Sequence, residues 1–158
     1  VTVTIDNTNS HFAVRLYPDA NNIDEEVFEV IMPGKTSTPI NVKEGTTVRM
    51  RIYIQGDGYL VPDNYSIEGA TKVINDSKVN FGWCRAAFNM TVNADTVIKI
   101  PDGVVCNHPD VDPSVRWGYY DCGYGKHELR CTLCSMVMPE TIGAHTLKGI
   151  IMTAISME

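Results

Sequence analysis

The residues best suited to chemistry are Cys131 and Cys134, separated by Thr132 and Leu133. Two cysteines at this spacing form a knuckle, whose backbone turn aims both sulfurs at one point. Structural zinc takes four N or S ligands in a tetrahedron, so the pair needs two partners. His145 lies 11 positions after Cys134, and His108 lies 23 before Cys131. These two histidines are the expected remaining ligands, with Cys106 as the alternative to His108. Cys106 and Cys122 are otherwise a disulfide pair if the protein is secreted. A catalytic zinc keeps one position open for water and needs an acid or base beside it. Here the ligands are rich in cysteine and no His-Glu-x-x-His sequence occurs, so the expectation is a structural zinc and no enzyme. A zinc-dependent enzyme is the alternative. A redox role for the pair would need the cysteines at a helix start in a βαβ setting, and the flanking pattern is strand-like.

Composition narrows the partners. The chain has 158 residues and 44% hydrophobic content, enough for a packed core. Net charge is -6, and both parts of the chain are mildly acidic: nine basic against thirteen acidic residues up to 105, then four against six. Nucleic-acid surfaces need clustered lysine and arginine to displace counterions, so the knuckle is not expected to be a DNA-binding finger. No run of 18 apolar residues occurs, so no membrane-spanning helix is expected. Five cysteines, an odd count, suit metal ligation better than a full disulfide set. The sequence enters a strand pattern at Val1, which reads as a trimmed or excised start with neighbouring domains in a longer chain.

The elements that must position the knuckle are read as strands. Residues 1–5, 12–17, 27–32 and 40–42 carry β-branched or alternating patterns between turn clusters. The clearest period runs from Thr46 to Ile54, where Val48, Met50, Ile52 and Ile54 alternate with Arg49, Arg51 and Tyr53. That pattern predicts one apolar face and one wet face, with the arginines in cross-strand pairs. Further short strands are expected at 59–61, 65–67, 72–74, 78–83, 87–92 and 96–100. Many short strands between turns predict an all-β sandwich over residues 1–104. Beyond it, strand patterns at 115–120 and 127–131 lead into the knuckle, and Val137-Met138 leads away. Strand, knuckle and strand is a zinc-ribbon layout, so a small zinc-ribbon-like β unit is expected at 105–158. Such a unit is too small for a large core, and a metal is a usual staple at that size.

Two resemblances bear on function. Val42-Lys43-Glu44-Gly45-Thr46-Thr47-Val48, Gly56-Asp57-Gly58-Tyr59 and the stretch from Ala87 to Val97 resemble bacterial surface repeats of the internalin and Listeria–Bacteroides kind and related Ig-like modules. Thr91 stands where those repeats have proline after the methionine, and the middle here is longer. His127-Glu128-Leu129-Arg130-Cys131-Thr132-Leu133-Cys134 and Glu140-Thr141-Ile142-Gly143-Ala144-His145 resemble ribbon-like segments of bacterial secreted multidomain proteins. Ser135 stands where those segments have glycine, at a position that favours left-handed backbone. The resemblance implies an Ig-like sandwich and a non-catalytic module of a secreted or cell-surface bacterial protein, used for adhesion, spacing or binding a protein or glycan. A structural protein of a phage capsid or tail is the alternative.

Overall fold

The computed structural model describes residues 1–106, 117–123, 126–131 and 133–144. His108 and His145 lie outside them. Every regular element among the described residues is a strand, so the chain is all-β there. In order these are β1 (Thr2–Asn7), β2 (Ala13–Tyr17), β3 (Glu29–Ile31), β4 (Lys35–Thr36), β5 (Ile40–Asn41), β6 (Thr46–Tyr53) and β7 (Tyr59–Leu60). Then come β8 (Thr71–Lys72), β9 (Cys84–Val92), β10 (Thr96–Lys99), β11 (Val104–Val105), β12 (Trp117–Gly123), β13 (Lys126–Cys131) and β14 (Val137–Ala144). The chain divides into two compact units: Val1–Gln55 with Val61–Val104, and Gly56–Leu60 with Val105–Glu158. The five residues Gly56–Leu60 thus leave the N-terminal unit, join the C-terminal one, and return.

The N-terminal unit holds two sheets. One places β1 between a parallel β10 and an antiparallel β4, with β5 also paired to β1. The other is antiparallel in the order β3-β2-β6-β9-β8. Period-two patterning decides what each strand buries. In β1, Val3 and Ile5 are buried while Thr2, Thr4 and Asp6 are half-buried. In and just beyond β6, Val48, Met50, Ile52 and Ile54 are all buried, and Phe88, Met90 and Val92 of β9 are buried as well. Each such side chain contributes about 1.5–3 kcal/mol on leaving water. Buried Asn7 at the end of β1 has its donors satisfied: Nδ2 donates to the carbonyls of Phe12, Ile31 and Met32 at 2.7, 3.1 and 3.2 Å. Ser10 Oγ donates to its Oδ1.

The expected wet face of β6 is corrected at Arg51, which is only 2% exposed. Asp76 covers it, because a buried guanidinium is stable only with a carboxylate against it. The same contact explains why residues 78–83 are turns and not the expected strand. Asp76 Oδ1 accepts the Lys78 N–H at 2.9 Å, and Val79 N–H and Phe81 N–H close successive turns on Asp76 and Lys78. Residues 65–67 are likewise not a strand but an irregular segment between two turns, closed by Tyr65 N–H on Pro62 O and Ala70 N–H on Ile67 O. Arg49 keeps the expected cross-strand pairing: its Nε donates to Asn89 Oδ1 at 2.9 Å, and the two residues face each other in register.

In the C-terminal unit, β12, β13 and β14 form an antiparallel sheet with β13 central. Its pairing slips at Asp121/Gly123 and again at His127/Leu129. Residues 121–123 close β12 and residues 143–144 close β14. β7 pairs with β11 in a separate two-stranded ribbon. β13 ends at Cys131, so the sheet delivers the first cysteine of the knuckle.

Candidate metal centre

The knuckle is built by backbone hydrogen bonds that the sequence makes possible only with a left-handed residue at its end. Ser135 N–H donates to Cys131 O at 2.9 Å, and Cys131 N–H donates to Met136 O at 2.9 Å. Reversing the chain this tightly leaves Ser135 at φ 61°. Glycine adopts that region without a Cβ penalty, and serine does not. Arg130 Nη1 holds the turn from outside by donating to Ser135 O at 2.8 Å. Replacing Ser135 with glycine is therefore expected to raise the thermal stability of the C-terminal unit by about 1 kcal/mol. A melt of S135G that falls below the wild type would show that the Ser135 side chain contributes more than its backbone strain costs.

A third thiol arrives from another part of the chain. Cys106 follows β11 directly, and its N–H donates to Gly58 O at 2.7 Å. Its Sγ lies 3.9 Å from Cys131 Sγ, and the sulfurs of Cys106, Cys131 and Cys134 all lie within 4.8 Å of one another. Zinc–sulfur bonds of about 2.3 Å in a tetrahedron place sulfurs about 3.8 Å apart, so the Cys106–Cys131 separation suits a shared ion. All three side chains are buried, with Leu60 and Met136 packed on them. Of the residues expected from the sequence, the structure thus brings Cys106 to Cys131 and Cys134.

Burial and neighbouring groups set the electrostatics of the cluster. Burial pushes the Cys131 thiol up, but the N–H groups of Cys134 and Leu133, with the thiols of Cys134 and Cys106, outweigh it and hold it below its ordinary value. Burial also pushes the Cys134 thiol up, and neighbouring Cys131 and Cys106 add to this, to about 12. The cluster therefore accommodates one thiolate readily and opposes a second. Were more than one of these thiols ionised, a cation among them would be needed, and a divalent metal could supply it. Sulfur-rich tetrahedral surroundings select zinc or iron–sulfur chemistry among the biological metals. The donor set fits a metal ion.

Compared with protein-family models, curated proteins and solved structures, the chain matches none.

Sequence reasoning did not attach Gly56–Leu60 or Met136 to this site. Gly56-Asp57-Gly58 is legible as a turn, but nothing in its composition links it to a cysteine so far along the chain. Cys84, the remaining cysteine with a described side chain, lies in the N-terminal unit, where burial pushes its thiol up to about 11. Its Sγ sits 3.8 Å from Ala86 O, and it behaves as a small apolar side chain.

Proposed function

We propose that this chain is a non-catalytic β module of a bacterial secreted or cell-surface protein, in which an Ig-like sandwich carries a small zinc-ribbon-like unit stapled by a structural zinc. The observation that carries the zinc is the buried trio of Cys106, Cys131 and Cys134, whose sulfurs lie within 4.8 Å of one another. A fourth ligand from His145 or His108 would close the tetrahedron. A closed, thiolate-rich site favours a structural role, because catalysis by zinc needs a position open to water. The sandwich reading draws on the parallel pairing of the first long strand with β10 and on the two separate sheets, each burying alternate residues. The surface location follows from the resemblance to bacterial surface repeats, and adhesion or spacing between neighbouring domains is the matching role.

The closed site makes a direct prediction. Cobalt-substituted protein, titrated with cyanide or azide, is expected to keep its visible spectrum unchanged, because no coordination position is free for the anion. A spectral shift with saturating anion would mean an open position, and would move the reading to a zinc-dependent enzyme.

A further inference from the structure

We propose that Gly56–Leu60 is a positioning element of the metal site, with Gly58 and Leu60 as the residues that hold Cys106 in place. The inference rests on the zinc reading of the thiol trio. Cys131 and Cys134 share one turn, so the local backbone fixes their relation. Cys106 comes from 25 positions before Cys131. Its own amide is anchored by the 2.7 Å bond from its N–H to Gly58 O, immediately beside the β7–β11 ribbon. Leu60 then packs against the cysteine cluster.

Gly58 sits at φ +92°, where a side chain is strained whatever the space around it. An added Cβ would reach Met136 Sδ at 3.5 Å, which is ordinary contact. The cost of a side chain at Gly58 is therefore conformational. It falls on the carbonyl that anchors Cys106. Groups that orient metal ligands set affinity even though they never touch the ion, and their loss typically weakens binding by about 10–100-fold. A five-residue excursion out of the N-terminal unit thereby becomes part of the metal site's framework.

The test is a cobalt(II) titration of the full chain, followed by thiolate-to-cobalt absorption, with zinc competition to set the affinity. Gly58→Ala and Leu60→Ala are each expected to weaken metal binding by about tenfold or more. The saturated spectrum keeps its wild-type shape, since the ligands are unchanged. Gly34→Ala is the control: Gly34 has φ +79° and nothing within 4 Å of an added Cβ, so it carries the same backbone strain in the N-terminal unit. Its metal affinity should equal that of the wild type. Should Gly58→Ala fail to fold, Leu60→Ala decides alone, because it introduces no backbone strain. Wild-type affinity in Leu60→Ala, or in a folded Gly58→Ala, overturns the proposal while leaving the metal site standing. Absence of thiolate-to-cobalt absorption in the wild type overturns the metal site itself, and this inference with it.

Discussion

Strong chelation is expected to unfold the C-terminal unit while the N-terminal unit stays folded. The physical basis is an imbalance of resources. The N-terminal unit buries Val3, Ile5, Val14, Leu16, Val48, Met50, Ile52 and Phe88, a core that stands without a metal. Among the described residues of the C-terminal unit, the buried cluster consists of Cys106, Cys131 and Cys134 with Leu60 and Met136 against it. Structural zinc contributes about 10–16 kcal/mol in small zinc-dependent folds, as much as the entire stability of an ordinary domain. Its removal leaves a small unit without its staple. Hydrogen exchange should report this directly. Under chelator, amides of 126–131 and 133–137 lose protection, while those of 46–53 and 84–92 keep it. Cys131→Ser is expected to give the same pattern without chelator. Equal protection of both regions in the presence and absence of chelator would refute the staple.

The second large effect lies in the N-terminal unit. Asp76→Ala is expected to destabilise it by about 3–5 kcal/mol, because it strands a buried guanidinium. Arg51 Nε and Nη2 donate to Asp76 Oδ2 and Oδ1 at 2.9 and 3.0 Å, a bidentate pair. Arg51 Nη1 donates to Tyr17 Oη at 2.9 Å, and the guanidinium lies 4.7 Å from the Tyr17 ring centroid. Arg49 Nη1 adds a second positive charge 3.6 Å from Asp76 Oδ2. Burial raises the pKa of Asp76, but the Arg51 hydrogen bond, the Lys78 N–H and the charges of Arg51 and Arg49 outweigh it and hold it below its ordinary 3.8. The sign follows. A carboxyl with a depressed folded pKa contributes stability fully above the unfolded value, and that contribution is lost as pH falls through the folded one. Denaturant melts of the wild type should therefore weaken below the ordinary carboxylate pKa of 3.8, and those of Asp76→Ala should lack this component. Replacing Arg51 and Asp76 together by apolar residues of similar size should cost less than Asp76→Ala alone, since the buried Arg51 guanidinium is removed with its carboxylate. A single-mutant loss no greater than the double-mutant loss would contradict the account.

The all-β class was legible because period-two alternation is a local signal. β1, β6 and β9 announce themselves by β-branched and aromatic residues on one face. The burial of Arg51 was not legible, because its partner Asp76 sits 25 positions away in a segment whose Val79 and Phe81 imitate a strand. The knuckle was legible for the same reason as the strands: Cys131 and Cys134 are close in sequence, and the place of Ser135 predicted a left-handed turn that φ 61° now displays. Cys106 against His108 was not decidable, because two positions in a loop cannot be ranked by spacing alone. The geometry brings Cys106 to the cluster, whereas His108 and His145 lie outside the described residues. Gly58 was the least legible contributor. It acts through its carbonyl, and a backbone acceptor leaves no trace in the residue type that bears it.

Cys106, Cys131 and Cys134 are expected to hold one zinc ion. X-ray absorption at the zinc edge, on protein purified without added chelator and combined with metal content per chain, tests it most directly. One zinc per chain is expected, with three sulfur neighbours at about 2.3 Å and one lighter ligand closing the tetrahedron. Metal-free protein that takes up no zinc, or a bound zinc whose neighbours are oxygen and nitrogen alone, would contradict it.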